Sequence, residues 1–100
     1  APIPGNSLYA AAKAAVRDFA KGVARDRGPR GITANVVEPG PIDTDLNPES
    51  GEVAALSRSF VATGAYGKAH DIAAMVSYLA GPQSSYVTGA ALPVDGGLEA

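Results

Sequence analysis

The sequence contains no cysteine, no tryptophan and one histidine. Without cysteine the chain can form neither disulfide bonds nor thiolate metal sites, and we expect it in a reducing compartment, the cytoplasm. We also expect no metal, because a lone histidine without a partner ligand makes a poor metal site. His70 precedes Asp71 at a predicted helix start, where a surface or capping role explains it.

Basic charge is also scarce, since eight lysine and arginine residues face ten aspartate and glutamate residues, for a net charge of −2. We therefore expect neither nucleic acid nor an anionic membrane as a partner. No apolar run approaches the roughly 18 residues that span a bilayer. The hydrophobic fraction of 46% indicates a globular chain, and 100 residues make one domain or part of one. The chain begins without methionine, so we expect a processed, cleaved or truncated start.

A first helix is predicted over about residues 8–26, with Asn6 or Ser7 as its cap and Gly28-Pro29 as its stop. Apolar residues at helical spacing form one predicted packing stripe: Leu8, Ala12, Val16, Phe19 and Val23. A second, small-residue surface would allow another helix to approach closely: Ala10, Ala11 and Ala14.

The rest of the chain predicts a strand, two helices and a second strand. The strand covers about residues 32–37 and is apolar on both faces, as a buried parallel strand is. Helices are predicted over about 52–62, with Val53, Leu56 and Phe60 on one face, and over about 71–80. The inward residues of that last helix are predicted to be Ile72, Met75, Val76 and Leu79. The final strand covers about 90–94 and contains Pro93, which predicts a sheet edge.

This order of elements is half of an α/β layered fold. Two parallel strands cannot bury both of their faces alone, and the first strand is apolar enough to be central. We therefore expect that the front of the sheet lies outside this sequence.

Tyr9 and Lys13 are four residues apart at the start of the first helix, so they lie on the same side, one turn apart. A positive charge beside a phenol favours the phenolate, which lets a tyrosine exchange protons with an alcohol or carbonyl oxygen. On spacing alone the ordinary interpretation is a surface pair.

Three segments give this pair a context. Residues 9–16, YAAAKAAV, resemble the Y-x-x-x-K segment of short-chain dehydrogenases/reductases. Residues 35–44, NVVEPGPIDT, resemble the strand-to-loop segment of that family, and YVTG at 86–89 followed by VDGG at 94–97 is similar to its closing motif. The chain resembles reductase-like members that act on 3-oxoacyl carrier proteins, and biofilm-dispersal-mediator-like members.

The resemblance implies that residues 1–100 are the C-terminal half of one Rossmann-type doubly wound parallel sheet, with three helices and two strands. It implies an NAD(P)-dependent oxidoreductase in which Tyr9 is the general acid/base for a small carbonyl or alcohol substrate. Lys13 would make the Tyr9 phenol more acidic and bind the nicotinamide ribose. The implied cofactor-binding residues are Tyr9, Lys13, Pro39, Gly40, Pro41, Ile42 and Thr44.

In that implied site, backbone groups near Ile42 bind the carboxamide of NAD or NADP, and the Thr44 hydroxyl approaches the carboxamide or the diphosphate. Pro39 and Gly40 turn the backbone, and Gly40 leaves room for the flat cofactor ring. Residues 45–64, which we call the lid, would form the substrate wall. The resemblance also implies a homodimer or homotetramer, with contacts through the alanine-rich face of the first helix and through the last helix and its edge strand.

The family's glycine-rich phosphate loop and catalytic serine are absent from the sequence, and Ser7 is too close to Tyr9 to replace that serine. We therefore expect no hydride transfer from these 100 residues alone. A second hypothesis is a nucleotide- or cyclic-dinucleotide-binding regulatory protein on the same fold, and a third is a purely structural fragment.

Other polar residues have simpler interpretations. The acidic residues Asp43, Asp45 and Glu49 fit a solvated loop better than a cation site, and Asp95 fits a turn. Ser57 and Ser59 lack a visible base. The remaining tyrosines, Tyr66, Tyr78 and Tyr86, have no basic partner at helical spacing. We interpret Tyr78 as helix surface or interface, and Tyr86 as packing.

Overall fold

The computed structural model describes residues 5–100. Its elements are α1 (Ser7–Arg27), β1 (Val36–Pro39), α2 (Glu52–Ser59), α3 (Ala69–Ala80) and β2 (Ala91–Val94). A short 3₁₀ turn follows α1 and another follows α3. The predicted order of helix, strand, helix, helix, strand is confirmed. None of the helices within residues 5–100 is both long enough and apolar enough to cross a bilayer.

The two strands form a parallel sheet, in which the register runs from Val36 opposite Ala91 to Pro39 opposite Val94. This confirms the predicted α/β class with a parallel sheet. Within residues 5–100, each of the two strands has a neighbour on one side only, so the assignment of β2 to a sheet edge from Pro93 stays a prediction. That proline has no N–H to donate, so it is tolerated where no further strand is bonded.

The strand β1 begins later than predicted, at residue 36 instead of about 32. Just before it, side-chain hydrogen bonds join the same two segments beside one backbone bond, from Gly89 N to the carbonyl of Ala34 at 2.7 Å. Ala34 N donates to Thr88 Oγ1 at 3.0 Å, Asn35 Nδ2 donates to the carbonyl of Val87 at 3.0 Å, and Ala90 N donates to Asn35 Oδ1 at 3.1 Å. The apolar pattern located the strand, but these side-chain bonds moved its first ladder residue.

The helix α1 matches its predicted range within a residue at each end, but its predicted cap is wrong. Asn6 occupies the N-cap position, and its side chain makes no capping hydrogen bond. Its backbone, at φ −115° and ψ 21°, lies outside the extended region that capping residues adopt. At the other end the predicted stop at Gly28 is confirmed, because the chain passes there into a 3₁₀ turn.

The face by which α1 packs also differs from the prediction. Leu8 is 87% exposed and Phe19 is 73% exposed, whereas Ala20 and Ala24 are buried. At about 100° per residue, these alanines lie about 100° around the helix from the centre of the predicted stripe. Their small side chains let the helix approach the sheet closely, whereas Leu8, Val16 and Phe19 stay exposed.

The remaining helices carry little of the core. The helix α2 ends at Ser59, three residues before its predicted end, and its apolar face of Val53, Leu56 and Phe60 is exposed. The helix α3 half-buries three of its four predicted inward residues, but Val76 is 50% exposed. The buried apolar residues within 5–100 are Ala20, Ala24, Ala54, Val61 and Tyr66.

Candidate functional site

Tyr9 and Lys13 lie together on the first turns of α1. Lys13 Nζ is 5.2 Å from the centroid of the Tyr9 ring, within the range of a cation–π contact. Tyr9 is 59% exposed, so its phenol is open to a ligand or to water. The predicted placement of both side chains on one side of the helix is confirmed, and their chemical roles stay predictions.

The loop after β1 is held by a parallel bridge between Ile42 and Gly67. Gly67 N donates to the carbonyl of Pro41 at 2.9 Å, and Asp43 N donates to the carbonyl of Gly67 at 3.0 Å. The N–H and C=O of Ile42 itself take no part in this bridge and point away from Gly67, as the parallel pattern requires. One donor and one acceptor on the same residue fit a carboxamide, which offers the complementary pair.

Thr44 closes a tight turn in this loop. Its backbone exchanges hydrogen bonds with Asn47, at 3.3 and 3.1 Å. Its Oγ1 accepts a further bond from Asn47 N at 3.2 Å. The hydroxyl hydrogen is not used in that bond, so Thr44 can still donate to an acceptor such as a carboxamide or phosphate oxygen.

Gly40 lies against the turn that follows β2. A Cβ atom built at Gly40 would be 2.7 Å from Asp95 Cα. Asp95 holds that turn, since its carboxylate accepts from Gly97 N at 2.9 Å, which confirms the predicted turn. The close approach of Asp95 is thus one reason for a glycine at position 40, separate from the predicted need for room beside a cofactor ring.

Lys68 forms ion pairs with the loop between β1 and α2, residues 40–51, which we call the strand-end loop. Its Nζ is 2.7 Å from Glu49 Oε1 and 3.6 Å from Asp43 Oδ2. The hydrogen bond to Glu49 is the main cause that raises the pKa of Lys68 above its ordinary 10.5. Asp43 and Glu49 are partly exposed in this loop, as the solvated-loop interpretation expects, and Lys68 is a cationic partner that this interpretation did not include. No local spacing reveals this cluster, because Lys68 is far from both carboxylates in sequence.

Tyr66 also contacts the strand-end loop, through a hydrogen bond to Asn47. It is buried, its hydroxyl donates to Asn47 Oδ1 at 3.2 Å, and the Arg58 guanidinium lies 6.0 Å from its ring centroid. Sequence reasoning missed Arg58 because it is not at helical spacing from Tyr66. Of the other tyrosines, Tyr78 is exposed as predicted, but Tyr86 is 99% exposed and packs against nothing within residues 5–100.

A second ion pair joins α1 to the end of β1, and the sequence reasoning missed it too. Arg17 Nε is 2.5 Å from Glu38 Oε2. Arg17 follows Lys13 by one helical turn, and Glu38 immediately precedes Pro39, so the pair connects the two stretches that carry the predicted site residues.

A cleft of about 310 Å³ lies beyond the carboxyl ends of both strands. Its walls come from the strand-end loop, the segment before α3 and the turn after β2, including Ile42, Thr63, Tyr66 and Asp95. Ligands of open α/β sheets bind at this end of the strands. Within residues 5–100, no three histidine, aspartate or glutamate side chains are grouped as a metal site would need.

The chain is similar to several known proteins. A family model described as enoyl-(acyl carrier protein) reductase matches residues 1–99. The cyclic-di-GMP-binding biofilm dispersal mediator protein of Escherichia coli strain K12 is 50% identical over 95 residues, which are 95% of this chain and 40% of that protein. The 3-oxoacyl-[acyl-carrier-protein] reductase FabG of Pseudomonas aeruginosa is 44% identical over 97 residues, which are 94% of this chain and 38% of that protein.

A solved structure has the same backbone arrangement. The short-chain dehydrogenase from Burkholderia cenocepacia J2315, in complex with NADP, is 50% identical, with a TM-score of 0.90 over 99% of this chain and 40% of that one. The chain thus spans about two fifths of the length of the proteins it matches.

Proposed function

This chain belongs to the short-chain dehydrogenase/reductase family. We propose that it is part of an NAD(P)-dependent oxidoreductase, which reduces a ketone or oxidises a secondary alcohol. Residues 1–100 would be the C-terminal half of one Rossmann-type domain. The observation that carries the proposal is the Tyr9–Lys13 pair, with Nζ 5.2 Å from the ring centroid, on the helix predicted to hold both residues.

The nicotinamide group supplies or accepts the hydride when it is bound. In the reductive direction Tyr9 Oη gives its proton to the substrate carbonyl oxygen, which becomes the alcohol. Lys13 would hold its ammonium group beside Tyr9, since its Nζ lies 5.2 Å from the centroid of the Tyr9 ring. Because Tyr9 is exposed, its phenolate can regain a proton from water. The same steps run backwards when an alcohol is oxidised.

The strand-end loop supports the cofactor part of the proposal. The free N–H and C=O of Ile42 would bind the carboxamide, and the Thr44 hydroxyl would donate to the carboxamide or the diphosphate. Pro39, Gly40 and Pro41 would form the turn beside the ring. The related structure with bound NADP supports a nicotinamide cofactor, and we propose NAD or NADP without a choice between them.

The catalytic set is divided between this sequence and the rest of the fold. The phosphate-binding loop and the serine that assist Tyr9 in the family are absent from these 100 residues. We therefore propose that residues 1–100 alone show no nicotinamide-dependent turnover.

We also propose a homodimer or homotetramer, with contacts through α1 and through α3 and β2. A sedimentation experiment on the full-length protein checks the assembly, and a monomer would contradict it.

The second candidate is a regulatory protein that binds a cyclic dinucleotide. It is favoured by the 50% identity to a protein named as cyclic-di-GMP-binding. Titration of the full-length protein with NADPH, NADH and cyclic-di-GMP, followed by turnover assays on small ketones, separates the two. The enzyme proposal expects saturable nicotinamide binding and turnover. Tight cyclic-di-GMP binding without turnover on any carbonyl tested would replace it with the regulatory function.

A further inference from the structure

Among the described residues 5–100, Arg17 and Glu38 form an ion pair between α1 and β1. Arg17 Nε donates to Glu38 Oε2 at 2.5 Å. The Glu38 side chain is 17% exposed and that of Arg17 is 39% exposed. A pair this sheltered is screened less by water and salt than a surface pair. The ion pair therefore connects α1 directly to β1.

The position of the pair matters more than its strength. Arg17 is one turn beyond Lys13 on the helix that carries Tyr9, and Glu38 is followed directly by Pro39 and the strand-end loop. The buried Ala20 on the same side of α1 allows the close approach that brings Arg17 to the sheet. A shift of α1 along or around its axis would move Tyr9 and Lys13 relative to the loop, and it would also disturb the Arg17–Glu38 contact.

The planar guanidinium restricts such shifts more than an ammonium group would. Its donors have a fixed direction, so the short bond through Nε defines an orientation as well as a distance. Proton and hydride transfer are sensitive to both, and a displacement of about 1 Å can cost about 100-fold in rate.

We propose that Arg17 and Glu38 form a positioning pair, which fixes the placement of α1, with Tyr9, relative to the strand-end loop that follows β1. The inference rests on the proposed oxidoreductase function. Neither side chain is assigned a contact with substrate or cofactor. The pair acts on kcat through the placement of Tyr9, and the cofactor is held by other groups.

The test uses the full-length protein with Arg17→Met, Glu38→Gln, Arg17→Lys and the exchanged pair Arg17→Glu/Glu38→Arg. Assays are run well below the unfolding midpoint of every variant. Arg17→Met is expected to lower kcat by about 10- to 100-fold, while the dissociation constant for NADPH changes by less than about 3-fold. Arg17→Lys and the exchanged pair are expected to recover part of kcat. Arg25→Met, on the same helix, is the control and is expected to keep the wild-type kcat.

The outcomes separate this inference from the function on which it rests. Absence of turnover in the wild-type protein would overturn both. Normal wild-type turnover, together with unchanged kcat in Arg17→Met and Glu38→Gln, would overturn the positioning pair alone. A purely structural role would lower the unfolding midpoint in the single variants and leave kcat unchanged, which also counts against the inference.

Discussion

Gly40 and Asp95 lie in van der Waals contact at the ends of the two parallel strands, so that a Cβ at Gly40 would be 2.7 Å from Asp95 Cα. Gly40 N also donates to the carbonyl of Val94 at 3.0 Å, one residue before Asp95. The strand-end loop and the turn after β2 are therefore one packed unit. The strand-end loop, which we propose for nicotinamide binding, thus packs against the closing motif at residues 94–97.

This contact predicts the effect of Gly40→Ala. The added methyl would collide with backbone atoms of residue 95, which cannot rotate away, so we expect a loss of about 1–3 kcal/mol in the free energy of unfolding. Urea denaturation of the full-length protein measures it. Gly22→Ala is the matched control, because a Cβ there meets nothing within 4 Å and the helix should gain about 0.5–1 kcal/mol. Equal stability of the two variants would refute the packing argument.

The side chain of Asn35 predicts a second stability effect. Its amide bonds Val87 and Ala90 across the start of the sheet, at 3.0 and 3.1 Å. Asn35→Ala leaves the carbonyl of Val87 and the N–H of Ala90 without these partners. We expect a loss of about 1–3 kcal/mol in the free energy of unfolding. Asn6→Ala is the control, because the Asn6 side chain makes no cap bond, and a change within about 0.5 kcal/mol is expected. A negligible effect at position 35 would show that the amide does not hold β1 to β2.

Lys68 predicts a pH dependence. Its folded pKa is raised above 10.5, first by the hydrogen bond to Glu49. A raised lysine pKa means that the stabilising effect is fully present below pH 10.5 and is lost as the pH rises through the folded value. The urea midpoints of wild type and Lys68→Met should therefore differ at pH 8 and converge above pH 10.5. A difference that persists unchanged at high pH would mean that the ammonium charge is not its source.

The same cluster predicts a salt effect on the loop. Lys68, Glu49 and Asp43 are all partly exposed, so added salt should weaken their attraction. Amide hydrogen exchange of residues 43–49 is expected to speed up in Lys68→Met and, to a smaller degree, in wild type at high salt. The control is Lys21→Met, which should leave exchange in the loop unaltered. Identical exchange in wild type and Lys68→Met would remove Lys68 from the account of the loop.

The local patterns of the sequence located most elements correctly. The 21 residues of α1 and the 12 of α3 were predicted within two residues at each end, because helical periodicity and Gly-Pro signals are local. The start of β1 was missed because Asn35 and Thr88 supply ladder bonds from side chains, and that depends on a partner 52 to 55 residues away. The burial of Ala20 in place of Phe19 was also missed, since a stripe of apolar residues does not say which neighbour will cover it.

The candidate site shows the same division. The Tyr9–Lys13 pair follows from a spacing of four on a helix, and the sequence therefore predicted it. The ion pairs of Arg17 with Glu38 and of Lys68 with Glu49 join residues 21 and 19 positions apart. No periodicity marks such pairs, because only the fold brings them together.

The central claim is that Tyr9 is the proton donor of a nicotinamide-dependent reaction. Its most direct test is the single-turnover rate of hydride transfer in the full-length protein carrying Tyr9→Phe, with Tyr78→Phe as the control for loss of a surface hydroxyl. We expect Tyr9→Phe to lower the rate by about 10²- to 10⁴-fold with NADPH affinity preserved, and Tyr78→Phe to match wild type. A Tyr9→Phe protein that transfers hydride at the wild-type rate would contradict the account.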